Sequence, residues 1–282
     1  MASTALYPVR VEASLDRPLS RWLWVVKWLL VIPHYLVLAL LWLAFALLSL
    51  VAFFAILFTG RYPRSIFEFN VGVLRWSWRV AYYAYGALGT DRYPPFTLAE
   101  VPDYPAHLDV AYPHQLSRGL VLVKWWLLAL PHYLVVGFFL GGASWLAVRG
   151  ESAQWGWSGG LIGILVVIAG VVLAVTGRYP PSIYDFVLGM NRWVLRVAAY
   201  AGLMTDQYPP FRLDTGGSEP GGTLTLPQPT RRAPGGESPW TGGRVVCVVL
   251  GAVLTVSSSG LLFGGGTASP CGRIRCSAMA AM

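Results

Sequence analysis

Charge is scarce in this chain. Only 12% of its 282 residues are charged, against about 25% in an average soluble domain, and 55% are apolar. That imbalance argues against an ordinary soluble domain and makes a membrane location the first expectation. Lysine is scarcer still, with Lys27 and Lys124 standing alone beside 19 arginines. The net charge of +8 is therefore guanidinium charge. In an apolar chain it reads as cytoplasmic flanking charge; no basic face free of apolar runs suggests nucleic acid as a partner. Cysteine is limited to Cys247, Cys271 and Cys276 near the carboxyl end. The Cys-x4-Cys spacing without histidine partners excludes ordinary zinc binding. A cleavable signal peptide is not expected either, since the first 16 residues are polar or alternating and the first long apolar run starts at Trp22. No Ser/His/Asp or Cys/His arrangement, phosphate loop or metal-spaced cluster appears. The expectation is a protein that is not an enzyme and has no catalytic residue, metal or cofactor.

What is present is a duplication. Residues 59–80, TGRYPRSIFEFNVGVLRWSWRV, return as residues 176–197, TGRYPPSIYDFVLGMNRWVLRV. The expected organisation is repeat 1 over 7–98, repeat 2 over 104–213, a Gly/Pro-rich linker over 214–241, a terminal apolar span over 242–266 and a tail over 267–282. Each repeat opens with period-two alternation, in 7–15 and 104–112, which predicts short strands. Such strands are marginal alone and are expected to pair with each other or with the closing Tyr-Pro-Pro-Phe segments at 93–96 and 208–211.

Residues 22–58 carry only Lys27 and His34 as ionisable groups. One straight helix of that length would reach ~55 Å against a hydrocarbon core of ~30 Å. Two solutions are open: a hairpin turning near 42–49, or an interfacial helix ending near Ile32 followed by a span with Pro33 in its first turn. Repeat 2 favours the hairpin, because its two apolar runs are separated by a polar, glycine-rich stretch at 149–160. The predicted fold class is thus an all-α integral membrane protein of tandem hairpin plus amphipathic-helix repeats with short flanking strands, a multi-pass chain in the cell membrane. By the positive-inside rule its Arg-Tyr-Pro segments face the cytoplasm.

After each Arg-Tyr-Pro comes a helix of about 25 residues. In the first, Glu68, Gly72, Arg75, Arg79 and Tyr82 share one narrow stripe. In the second, Asp185, Gly189, Arg192 and Arg196 do the same. A charged stripe on an apolar helix suits a helix lying in the bilayer interface, with Arg61, Arg64, Arg75, Arg79, Arg178, Arg192 and Arg196 as anchors for topology or for anionic headgroups. The rival is a packed helix in which Glu68 and Asp185 neutralise arginines internally. Lys27 and Lys124 occupy matching places ahead of Pro33-His34-Tyr35 and Pro131-His132-Tyr133, so Lys27, His34, Lys124 and His132 form a candidate intramembrane polar site. The histidines are candidates for a proton relay or metal ligand, against the plainer role of interface anchor or bundle hydrogen-bonder.

These motifs, Pro-His-Tyr, Gly-Arg-Tyr-Pro, Gly-Val-Leu-Arg-Trp and Thr-Asp-Arg-Tyr-Pro-Pro-Phe, in fixed order twice, resemble the DUF4389 family of bacterial membrane proteins. The likeness covers 7–98 and 104–213. It implies a membrane location and supplies no catalytic residue, ligand or protein partner. The functional expectation is a non-enzymatic scaffold, or a protein contacting the lipid bilayer and its anionic lipids. The alternative is a small transporter or channel with a site between the repeats near His34 and His132.

Overall fold

In the computed structural model, residues 7–141 and 160–216 are described. They fall within one unit, Met1–Gly236. The expected terminal span, the tail and nearly all of the linker lie outside the described residues, as does the 149–159 stretch.

Strand β1 (Val9–Ala13) pairs antiparallel with β2 (Ala106–Val110) in register Val9↔Val110, Val11↔Leu108 and Ala13↔Ala106. The two strands expected from alternation thus find each other, and each is a few residues shorter than its sequence pattern. Apolar residues of both strands point inward, while Arg10 faces Asp109 and Glu12 faces His107 on the outer side. An opposite-charge cross-strand pair such as Arg10 and Asp109 supports the register.

Helices α1 (Leu23–Leu30) and α2 (Ile32–Thr59) are separated by Val31 alone. Pro33 forces the break: it has no amide to donate to the preceding turn, and its ring fits only the start of a helix. The hairpin expected near 42–49 is not formed. Helix α2 runs unbroken for 28 residues, ~42 Å, as the absence of Gly or Pro in that stretch allows. Of the two solutions for repeat 1, the helix break at Ile32 is the one adopted. One side of α2, through His34, Leu38, Leu41, Phe45, Ala52 and Ile56, is buried along its whole length. The opposite side, through Leu36, Leu43, Leu47, Leu50, Phe54 and Phe58, is uncovered.

Gly60 closes α2 in the left-handed region, φ 70°, donating to Ile56 O at 2.7 Å. A side chain there would be strained, which explains Thr-Gly-Arg at both copies, since Gly177 ends its helix with the same φ. The chain then turns into α3 (Arg64–Tyr83), which folds back against α2: Asn70 reaches Ser49, Ser77 reaches Trp42 and Trp76 reaches His34. The hairpin of repeat 1 is α2 with α3.

Repeat 2 follows the same plan through α4 (Leu120–Val123), a π-helical turn over Lys124–Leu128, α5 (Leu130–Leu140), α6 (Leu161–Thr176) and α7 (Pro181–Ala201). The π turn has a sequence cause. Six residues separate Lys27 from Pro33, whereas seven separate Lys124 from Pro131. The extra residue is absorbed by one widened turn, Ala129 N to Lys124 O at 2.9 Å, so lysine and histidine keep their places.

The repeats interlock. Arg75 of repeat 1 donates to Leu108 O on the strand that opens repeat 2, and Arg192 of repeat 2 donates to Val11 O on the strand that opens repeat 1, both at 2.8 Å. Val11 and Leu108 are register partners, so the two bonds are related by a local twofold through the sheet centre. Tyr62 Oη donates to Gly202 O and Tyr179 Oη to Ala87 O across the same divide. Helix α2 is long and apolar enough to cross a membrane, and the bent pair Leu120–Leu128 and Leu130–Leu140 would be a second such element if it counts as one span.

Candidate functional site

The two lysines of the chain are buried in matching cages. Lys27 Nζ donates to Thr90 O at 2.7 Å and pairs with Asp91 Oδ1 at 2.7 Å. Lys124 Nζ donates to Thr205 O at 3.1 Å and to Asp206 Oδ1 at 2.8 Å. The second oxygen of each carboxylate accepts the backbone amide of a serine three residues ahead of the helical segment that leads into the lysine, Ser20 or Ser117, both at 2.6 Å. Burial alone would raise the Asp91 carboxyl. The Lys27 ammonium and the Ser20 amide overcome it and hold the group below the ordinary carboxylate range. The approach of Thr90 and Thr205 depends on Leu88 and Leu203, which adopt φ 52° and φ 64° at equivalent points just after α3 and α7. A leucine in the left-handed region is strained. Both side chains are buried, which supplies the compensating apolar contact.

Next to each lysine cage lies a histidine enclosed by aromatic rings. His34 Nδ1 accepts from Trp76 Nε1 at 3.1 Å, with Phe96 stacked on the imidazole at 3.9 Å between centroids. His132 Nδ1 accepts from Trp193 Nε1 at 3.0 Å, with Phe211 stacked at 4.2 Å. Tyr93 and Tyr208 complete the enclosures. An indole nitrogen only donates, so Nδ1 has to carry its lone pair toward tryptophan. Each ring is therefore neutral, with its proton on Nε2. Both Nε2 atoms are buried without a partner. In chemical terms each cage presents one unused N–H donor.

The Tyr-Pro-Pro-Phe segments thus act as covers. They bring the Lys and His predicted within each repeat to one place, but each histidine is enclosed by its own repeat, and no described bond or ring contact joins His34 to His132. Among the described residues no three His, Cys, Asp or Glu side chains come together as a metal would need.

The arginine stripe is placed differently from the interfacial expectation. Arg79, Arg192 and Arg196 are buried and Arg75 is half-buried. Arg75 reaches Glu100 and Asp109, Arg79 the carbonyls of Thr97 and Ala99, Arg192 the carbonyl of Asp214, and Arg196 the Asp214 carboxylate. These four lock α3 and α7 to the sheet and closing segments and are not turned toward headgroups. Among the described residues, Glu68 and Asp185 form no ion pair; the carboxylates that compensate the stripe are Glu100, Asp109 and Asp214, all outside the helices. The reason is that guanidinium groups pointing at the sheet meet a row of backbone carbonyls there, and charged hydrogen bonds to them are worth about 1.5–3 kcal/mol each. Arg61, Arg64 and Arg178 are exposed, with Arg64 lying over the Tyr112 ring. Sequence reasoning missed Asp91, Asp206, Trp76 and Trp193. Their signal was recurrence: each stands at the same place in both copies.

The model of the family described as a domain of unknown function, DUF4389, matches residues 21–97 and 155–212. The chain carries two DUF4389 segments. They take in the Lys and His cages of repeat 1, the Thr-Asp-Gln-Tyr-Pro-Pro-Phe cover of repeat 2 and both Gly-Arg-Tyr-Pro turns. No curated protein and no solved structure matches the chain.

Proposed function

We propose that this DUF4389 protein is an integral, multi-pass membrane protein, a non-enzymatic scaffold whose apolar helices sit in lipid while the sheet and the arginine-bearing α3 and α7 form a rigid polar platform. The observation that carries this reading is the uncovered side of α2, where Leu36, Leu43, Leu47, Leu50, Phe54 and Phe58 lie open over about six turns of helix. An apolar stripe of that extent is costly in water at about 25 cal/mol per Å² and is satisfied by acyl chains. The exposed Leu134, Phe138, Ile164, Ile168 and Val175 of α5 and α6 extend it. Arg61 and Arg178 then lie at the cytoplasmic surface. Alkaline carbonate washing of cell membranes tests this: the chain is expected to stay in the pellet and to be released by mild detergent, and recovery in the carbonate supernatant would overturn the proposal.

A second reading, a small transporter or channel, draws on the two buried N–H donors of His34 and His132. Its test is proton flux into proteoliposomes followed with an internal pH dye. Flux that is present in the native chain and lost in His34→Ala/His132→Ala favours transport; absence of flux in the native chain favours the scaffold.

A further inference from the structure

We propose that the cleft between residues 17–19 and the junction of α6 with α7 binds the phosphate of an anionic glycerophospholipid, a site that rests on the membrane reading above. The cleft has a volume of about 820 Å³, within the range of ordinary ligand sites. Its rim carries Arg17 and Arg178, and Arg21 lies against the Gly177 turn: a Cβ built on Gly177 would meet the Arg21 guanidinium at 2.7 Å. Among the described residues, none of the three arginines makes an ion pair or a side-chain hydrogen bond. Asp16, next to Arg17 in the chain, is already engaged by Arg92 at 2.9 Å and by Thr90 at 3.0 Å. Arg17 and Arg178 line one cleft and Arg21 lies against its Gly177 turn, so the cleft carries positive charge that an anion would compensate. Helix α7 adds to the field, since Pro180 and Pro181 leave its first turn with no side-chain cap.

The wall of the cleft tells which anion. Leu19, Val172 and Leu173 line it, and Val172 and Leu173 belong to the last turns of the apolar helix α6. The exposed Ile168, Val171 and Val175 continue that apolar surface along the helix. A small free anion has no use for such a wall. A phospholipid does: its phosphate sits among the arginines while its acyl chains follow α6, and each basic residue near an anionic headgroup contributes about 1 kcal/mol.

The test uses the full chain in detergent, titrated by calorimetry with short-chain phosphatidylglycerol, short-chain phosphatidylcholine and inorganic phosphate. Phosphatidylglycerol is expected to bind at least tenfold more tightly than either of the others. Arg17→Gln/Arg178→Gln is expected to lower that affinity at least tenfold. Val172→Trp, which fills the wall without touching charge, is expected to lower it similarly. If Val172→Trp fails to fold, Leu19→Glu puts a repelling charge on the same wall and serves in its place. Equal affinity for the two lipids, or an Arg17→Gln/Arg178→Gln variant within threefold of the native chain, would overturn the site. Phosphate binding as tightly as the lipid would reassign the cleft to a free anion and overturn the lipid. Retention in the carbonate pellet together with any of these results leaves the membrane reading standing, so the two failures are distinguishable.

Discussion

At the scale of residues, two lysines and two aspartates do for this fold what a disulfide does elsewhere: each pair fastens the closing segment of a repeat to its opening helix. Lys27 is nearly fully buried while Asp91 keeps some contact with solvent, so the aspartate is the partner better able to stand alone. Lys27→Met is expected to lower stability by about 2–4 kcal/mol, because the carbonyl of Thr90 and the Asp91 carboxylate lose their donor. Asp91→Asn, which strands the ammonium, is expected to cost at least as much, and the double variant less than the sum. Thermal unfolding in detergent measures all three. The pH dependence has a definite sign. The Asp91 carboxyl is depressed in the folded state, so its contribution is complete above the ordinary carboxylate pKa of about 3.9 and fades as pH falls through the folded value. Stability is therefore expected to fall on acidification below about pH 4, and less steeply in Asp91→Asn than in the native chain.

At the scale of elements, the π turn of repeat 2 shows how a helix accepts an extra residue without disturbing what flanks it. Deleting Leu127 restores the six-residue spacing between Lys124 and Pro131 that repeat 1 has. The expected result is an ordinary α-helical turn and a melting temperature within a few degrees of the native one. Deleting Val194 in α7 should behave oppositely. It would turn Arg196 by ~100° away from Asp214 while Arg192 stays bound, and the chain is expected to lose its cooperative transition. Helix α2 gives the complementary lesson. Its sequence is apolar on every side, so periodicity carries no information about where a turn would fall; the helix stays straight because α3 packs along it from Asn70 to Trp76.

At the scale of the whole molecule, the duplication is a pseudo-twofold interlock in which each strand serves the other repeat's helix. Cutting the chain between the copies and expressing either alone is expected to give an unfolded or aggregated product. Residues 7–98 lack the carbonyl of Leu108 for Arg75, and residues 104–213 lack that of Val11 for Arg192. Co-expression of the two halves should recover a complex detectable by affinity capture. In membranes, a thiol-reactive reagent that cannot cross lipid should label Arg61→Cys and Arg178→Cys from the same side. Labelling from opposite sides would turn the pseudo-twofold axis into the membrane plane and reverse the assignment of one repeat.

Local pattern alone made the two repeats, the strands, the amphipathic helices and the apolar character legible, because each depends on residues a few positions apart; it left the break before Pro33 as one of two solutions and favoured the other. The partners of the charged groups were not legible. Arg75 and Arg192 look on a helical wheel like a solvated or headgroup-facing stripe, and only the docking of strands from the opposite repeat turns that stripe inward. The same holds for Lys27 with Asp91 and His34 with Trp76, separated by 64 and 42 residues in the chain. A side chain's neighbours at such distances are set by how elements stack, and that is a property of the folded volume rather than of any window of sequence.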